Sequence, residues 1–421
     1  MSERTEAELR NEIRSLVREY HAVAFPEKPF LGGISAVPVS GKVFDAEELD
    51  LLVDSSLDFW LTTGRYAEQF EKSFAKRMGM KHAMLCNSGS SANLLVTLAL
   101  LCSGRLRNKK VIVPAISFVA SANCILYCNA KPIFCDIEED TMNIDPFKIE
   151  ELINVNTKAI IAVDFAGQIC DFDKILNIAK KHNLVVIEDA AHSWGINLNK
   201  KFVGNICDIT TLSFHPVKNM TTCEGGMILT NNENLYNSML SFRQHGIVMD
   251  YKKRDQEKKL VATMNNLGYN YRIPDILCSL GISQLNKLDG FINKRLELSN
   301  IYKDEINKLN DKYKKNLVSF LKLKNTCAYH IFVVKLNLNE ISVSRDEIFH
   351  ALKSENIGVN LHYIPIYKHP YYQEKFPNIF LPICEKLYSQ ILTLPLYPNM
   401  CIDDIKDVMN ALEKVIKYYL S

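Results

Sequence analysis

The segment LSFHPVKNMTTCEGGMILT, residues 212–230, sets one lysine, Lys218, just past a β-rich run and ahead of a glycine pair. An amine kept among apolar residues loses affinity for its proton and becomes a nucleophile toward a carbonyl, or a base that moves a proton on and off carbon. A lysine that only reaches solvent from a strand end is the structural alternative. Three other segments place chemistry at comparable strand ends. In VVIEDAAHSWG, Asp189 closes an almost wholly apolar strand and His192 lies three residues on. A carboxylate there needs a partner, whether a helix cap, an ion pair or a ligand, because an unpaired buried charge is expensive. In CNSGSSAN, residues 86–93, Gly89 allows a tight turn, and Ser90 and Ser91 stand where a helix begins. Free N–H groups and hydroxyls at that point suit a phosphate, and a plain serine cap is the alternative. In PAISFVASAN, Phe118 opens a helix at a strand end, either as core or as a platform for a flat ring. Combined, these features describe a ligand with an anion, a flat ring, a ring nitrogen and a carbonyl. Pyridoxal phosphate has all four, with Asp189 keeping the pyridine nitrogen protonated and Lys218 holding the aldehyde.

Such residues meet only if their strands lie side by side. From about residue 49 short apolar strands alternate with helical patterns, through HAMLC, KVIVPAI, KPIFCDI, KAIIAVDFA, LVVIEDAA, DITTLSF and GGMILT. This alternation predicts a mainly parallel sheet with helices on both faces, whose ligands gather at the carboxyl ends of the strands. Residues 1–48 read as a helix and an extended arm that wraps a surface or a partner subunit. Residues 49–290 read as the large domain and 291–421 as a smaller α+β domain. A helix is predicted from about Pro274 to Leu309, and the lysine-rich stretch 250–260 is predicted to be an exposed loop.

With 421 residues, 47% of them hydrophobic, the chain can bury a large core. Lys plus Arg number 50 against 48 Asp plus Glu, so no broad basic field points to nucleic acid or an anionic membrane. Twelve cysteines are scattered without a CxxC pair, which disfavours a zinc site and reads as reduced thiols of a cytoplasmic protein. The uncharged stretches 84–104 and 111–130 contain CNSGSSAN and Pro114, and so read as strand, turn and helix rather than membrane spans. No GxGxxG opens a helix after an early strand, which disfavours a dinucleotide-binding enzyme.

The segments NSGSSAN, EDAAHSWG, LSFHPVKNMTTCEGGMILT and LGYNYRIPDILCSLGISQL, in that order and spacing, resemble the DegT/DnrJ/EryC1/StrS family of pyridoxal-phosphate-dependent nucleotide-sugar aminotransferases. The resemblance covers the chain from about residue 28 onward. It implies fold type I, the aspartate-aminotransferase-like fold, and a homodimer with active sites shared at the subunit interface. It implies Lys218 as the aldimine lysine and proton shuttle, Asp189 at the pyridine nitrogen, Phe118 against the ring and His192 near the phenolic oxygen. Ser90, Ser91 and Ser213 would hold the phosphate, with Asn270 reaching across from the other subunit. The N-terminal arm and FWLTTGRYAEQFE resemble instead the pyridoxamine-phosphate-dependent 3-dehydrases. Those carry histidine where this chain has Lys218, and they hold an iron–sulfur centre on a cysteine cluster that is lacking here. SFRQHGI, AYHIFVV and GVNLHYIPIYKHPYY resemble sugar C4 aminotransferases, making Tyr329, His330, His362 and Tyr363 candidate substrate residues or aromatic core. The resemblance thus implies transfer of nitrogen from L-glutamate to a 4-keto, less readily a 3-keto, 6-deoxy nucleotide sugar, for a surface polysaccharide or O-antigen. The alternatives are a sugar dehydratase and a non-catalytic cofactor-binding homologue.

Overall fold

Seven short apolar runs build the central sheet of the computed structural model, which describes residues 4–26, 29–102, 109–198, 201–247, 261 and 263–420. They are β1 (His82–Cys86), β2 (Lys110–Pro114), β3 (Lys131–Cys135), β4 (Thr157–Val163), β5 (Val185–Asp189), β6 (Ile209–Ser213) and β7 (Gly226–Thr230). Their order in the sheet is β1-β7-β6-β5-β4-β2-β3. Only β7 opposes its neighbours, pairing antiparallel with β1 and β6. The other pairs are parallel. Six strands therefore share one direction, and their carboxyl ends lie along one edge. The predicted mainly parallel sheet is what the chain forms. Every residue of β5 is buried, because helices cover both faces and leave no side of the strand to water. Val185 and Ile187 enter one core while Val186 enters the other.

At that edge two glycines let backbones approach. Cys86 and Ser213 both pair with Gly226. A Cβ on Gly226 would stand 2.3 Å from the Ser88 carbonyl oxygen, and one on Gly89 would stand 2.7 Å from Ser213 Cβ. The start of the helix Gly89–Cys102 is thereby seated directly on the end of β6.

A third core belongs to the C-terminal part. It packs Leu298, Tyr302 and Ile306 of the helix Asp275–Tyr313 against the three-stranded antiparallel sheet of Val318–Phe320, Phe332–Leu336 and Ile391–Leu394. The long helix predicted from Pro274 is present, and the expected domain boundary at 290 falls inside it. The N-terminal helix Glu6–Ala24 buries no residue and is tied down by charge. Arg10, Arg14 and Arg18 pair with Asp50, Asp54 and Asp58, where Arg14 grips Asp50 through two bonds of 2.7 and 2.9 Å. The arm after it lies on the chain's own C-terminal part: Gly358 N donates to Val37 O at 2.7 Å and Val37 N to Asn356 O at 3.0 Å. Among the described residues no helix is long and apolar enough to cross a membrane. The stretch 250–260 lies outside the described residues.

Candidate active site

A cavity of about 300 Å³ opens at the carboxyl edge of the sheet. Lys218, Asp189, His192, Ser90, Phe118, Ser213, His362 and Tyr363 all line it. The fold brings them together because β5 and β6 are neighbours and the turns after β1 and β2 rise beside them. Beneath, Trp194 and Phe214 are fully buried and pack edge to face at 5.4 Å, with Phe74 5.9 Å from Trp194. Both follow cavity residues in sequence, so the aromatic cluster fixes the floor on which His192 and Ser213 stand.

At one end of the cavity the helix Gly89–Cys102 begins. Its first N–H groups have no place in the helix ladder, and Ser213 lies against Gly89, so this end can receive an anion. Ser91 is held differently: its Oγ accepts the Ser88 hydroxyl at 3.0 Å, and it does not line the cavity. Phe118 is 56% exposed and stands two residues before its helix, Ala120–Tyr127, which removes the core alternative for it.

At the centre, Asp189 is buried and accepts hydrogen bonds on Oδ2 from Asn93 Nδ2 at 3.0 Å and Ser121 Oγ at 2.9 Å. Its Oδ1 takes only a 3.3 Å contact from Ala191 N among the described residues. Burial lowers the pKa of the Lys218 amine to about 8, opposed by the Asp189 charge, so a useful fraction is neutral near physiological pH. His192 is kept neutral by burial and by Lys218, and its Nε2 lies 3.2 Å from the Tyr363 hydroxyl. His362 is pushed down to about 4 by burial and Lys218, and its Nδ1 meets Thr393 Oγ1 at 2.9 Å. A neutral amine, a carboxylate and an anion seat in one pocket can bind a flat anionic cofactor and shuttle protons beside it.

Besides Ser91, three candidates lie off the cavity wall. His330 is buried behind His192, with ring centroids 4.3 Å apart, and does not reach the cavity. Tyr329 turns away through a left-handed backbone, φ 47°, and its hydroxyl accepts a hydrogen bond from Lys303 Nζ at 2.5 Å in a separate small pocket. Asn270 is exposed and does not line this chain's own cavity. Conversely, Asn93, Ser117, Ser121, Thr211, His215 and Glu224 line the cavity without having been singled out in the sequence. The available signals were the lone amide in the apolar run SANLLVTLALL and the i, i+4 pair Ser117 and Ser121.

Behind Asp189 its neighbour Glu188 points the other way, fully buried, with Oε2 accepting from Thr210 Oγ1 at 2.7 Å and Gly204 N at 3.2 Å. Oε1 has no partner among the described residues. Burial, then the nearby Asp164 carboxyl, raises Glu188 to about 8, and burial raises Asp164 to about 7. The unfolded carboxyls ionise near pH 4 while the folded ones resist, so their contribution to stability is full below pH 4 and is lost as pH rises toward 8. Glu188→Gln is therefore expected to stabilise the protein at pH 8.5 by about 1–3 kcal/mol and to bring no gain at pH 4. Thermal unfolding at the two pH values checks this.

Residues 43–413 match the DegT/DnrJ/EryC1/StrS aminotransferase family. The UDP-4-amino-4,6-dideoxy-N-acetyl-beta-L-altrosamine transaminase of Campylobacter jejuni is 35% identical over 392 residues, covering 91% of this chain and 99% of that protein. The Helicobacter pylori aminotransferase PseC, involved in pseudaminic acid biosynthesis, superposes with a TM-score of 0.84 at 28% identity over 91% of this chain and all of that one. NtdA from Bacillus subtilis, solved with bound cofactor PMP, gives a TM-score of 0.80 at 30% identity over 98% of this chain and 93% of that one.

Proposed function

The chain belongs to the DegT/DnrJ/EryC1/StrS aminotransferase family, and from that premise we propose that its cavity transfers nitrogen from L-glutamate to a 4-keto-6-deoxy nucleotide sugar. It is a pyridoxal-phosphate-dependent sugar aminotransferase of fold type I. The observation that carries the reading is that Lys218 and the buried Asp189 carboxyl line the same 300 Å³ cavity, where burial lowers the affinity of the amine for its proton.

The residues present fit the cofactor. The start of the helix Gly89–Cys102, with Ser90 and Ser213, suits its phosphate. Phe118 lines the cavity with an exposed ring face, and Asp189 Oδ1 is under-occupied by the protein itself. When bound, pyridoxal phosphate supplies a carbonyl that accepts and releases an amino group and a ring that withdraws electrons from the adjoining carbon. The chain supplies the rest. Lys218 Nζ would hold the cofactor and would move the proton at the reacting carbon as general base and acid. Asp189 would keep a positive charge at the ring nitrogen. His192, neutral and backed by His330, would serve the cofactor's oxygen, while His362 and Tyr363 would border the sugar. Ser91 supports the phosphate seat through Ser88.

In this reading residues 49–290 form the cofactor-binding unit, 291–421 the unit that closes the sugar side, and 1–48 an added helix and arm. The working form is a homodimer. Phe118 and Val217, both on the cavity wall, are 56% and 42% exposed in the single chain, which suits a partner's cover, and Asn270 is exposed as a residue serving the partner's cavity would be. Twelve unpaired cysteines suit the reducing cytoplasm. The product is an amino sugar for a surface polysaccharide. Incubating the cofactor-loaded protein with L-glutamate and a panel of 4-keto and 3-keto nucleotide sugars tests the reading by mass. Gain of nitrogen supports it, loss of a hydroxyl supports the dehydratase alternative, and no change on any sugar sinks both.

A further inference from the structure

Asp189 is gripped on one side by two elements far from it in sequence. Asn93, on the helix Gly89–Cys102, donates to Oδ2 at 3.0 Å, and Ser121, on the helix Ala120–Tyr127, donates to the same oxygen at 2.9 Å. Asn93 is itself locked. Thr211 Oγ1 donates to its Oδ1 at 2.6 Å, so the carbonyl side of the amide must face Thr211 and the NH₂ side must face Asp189. Thr97 Oγ1 anchors the backbone of the same residue by donating to the Asn93 carbonyl at 2.7 Å. Ser117 and Ser121 lie 3.1 Å apart, and with the Ser121 proton committed to Asp189, Ser117 is left as the donor of that pair. Asn93, Ser121, Thr211 and Ser117 are all buried, so water does not compete for these bonds.

We propose that Asn93 and Ser121, with Thr211 setting the amide's orientation, form a positioning clamp that occupies Asp189 Oδ2 and presents Oδ1 alone to the cofactor's ring nitrogen. This inference rests on the aminotransferase reading above. The carboxylate can rotate about two bonds, and without the clamp its position and plane would no longer be fixed, so the ring proton would lose a fixed acceptor. Two donors on Oδ2 and the Ala191 N contact at 3.3 Å on Oδ1 leave a single lone-pair direction of the carboxylate open. In this proposal the effect of Asn93 and Ser121 passes through Asp189, to which both donate.

The test uses the full chain loaded with pyridoxal phosphate and follows its visible absorption against pH. The lysine-linked chromophore carries a titrating nitrogen conjugated with the ring, and a positive ring lowers that nitrogen's affinity for its proton by like-charge repulsion. Loosening the clamp weakens the ring's hold on its proton. Asn93→Leu and Ser121→Ala are each expected to raise the chromophore's titration midpoint by about half to one pH unit, the equivalent of one buried neutral hydrogen bond. Thr211→Val, which removes no bond to Asp189, is expected to shift it the same way and by less. A purely structural role would lower cofactor content or melting temperature and leave the midpoint of the loaded fraction where it is in the wild type. That result in the soluble Ser121→Ala and Thr211→Val proteins overturns the clamp while leaving the aminotransferase reading intact. A wild-type protein that forms no lysine-linked chromophore overturns both.

Discussion

Lys218→Ala is expected to lower turnover by about ten-thousand-fold, roughly 5.5 kcal/mol in the barrier, while the protein still folds and still takes up pyridoxal phosphate. The size follows from two tasks falling on one nitrogen. Among the described residues Lys218 is the only lysine lining the 300 Å³ cavity, and its depressed pKa makes it both a competent nucleophile and a base matched to neutral pH. Folding should survive because the side chain makes no hydrogen bond among the described residues, and the floor beneath it is held by Trp194, Phe74 and Phe214. Single-turnover rates at matched cofactor content check this. A variant retaining more than about a tenth of the wild-type rate would remove Lys218 from the chemistry.

Asp189→Asn is expected to lower kcat by about a hundred- to a thousand-fold, with KM for the sugar changed little. The substitution keeps the shape and removes the charge, so it isolates electrostatics from packing. The buried carboxylate stands on β5 with its Oδ2 held by Asn93 and Ser121, and a fixed negative charge inside a dry site acts on a ring nitrogen far more strongly than it would in water. The neutral amide also meets two donors with the wrong group if its NH₂ faces them, and it will turn its oxygen toward them, presenting a donor to the ring nitrogen. Steady-state kinetics with L-glutamate and the preferred sugar measure the split. A KM effect without a kcat effect would place Asp189 in sugar binding.

The strands were legible because a parallel sheet covered on both faces demands unbroken apolar runs, and such runs in the sequence match β1 to β7 in place. Their direction gave the site: Asp189 and Ser213 end neighbouring strands, so Lys218, a few residues on, had to arrive at the same edge. Gly89 was readable as a turn residue and Gly226 as part of the strand run GGMILT, while the contacts that require them, Ser88 O beside Gly226 and Ser213 beside Gly89, depend on the pairing of β7 between β1 and β6. The clamp was not legible. Asn93 and Asp189 are 96 residues apart and Ser121 and Asp189 are 68 apart, so their contact depends on how two helices cross the sheet, and a single amide within an apolar helix marks itself without naming its partner. His330 shows the same limit in reverse. The motif AYHIFVV supplied the residue type, but the strand Phe332–Leu336 starts behind the turn that carries His192, which puts His330 one layer back from the cavity.

The most direct measurement is the visible absorption of the pyridoxal-phosphate-loaded protein before and after addition of L-glutamate. The account predicts a band from the lysine-linked cofactor that bleaches to the pyridoxamine form as the amino group is taken up, and that returns when a keto-sugar acceptor is supplied. A spectrum that shows bound cofactor but no lysine-linked band, or a band that L-glutamate leaves unchanged, would contradict it.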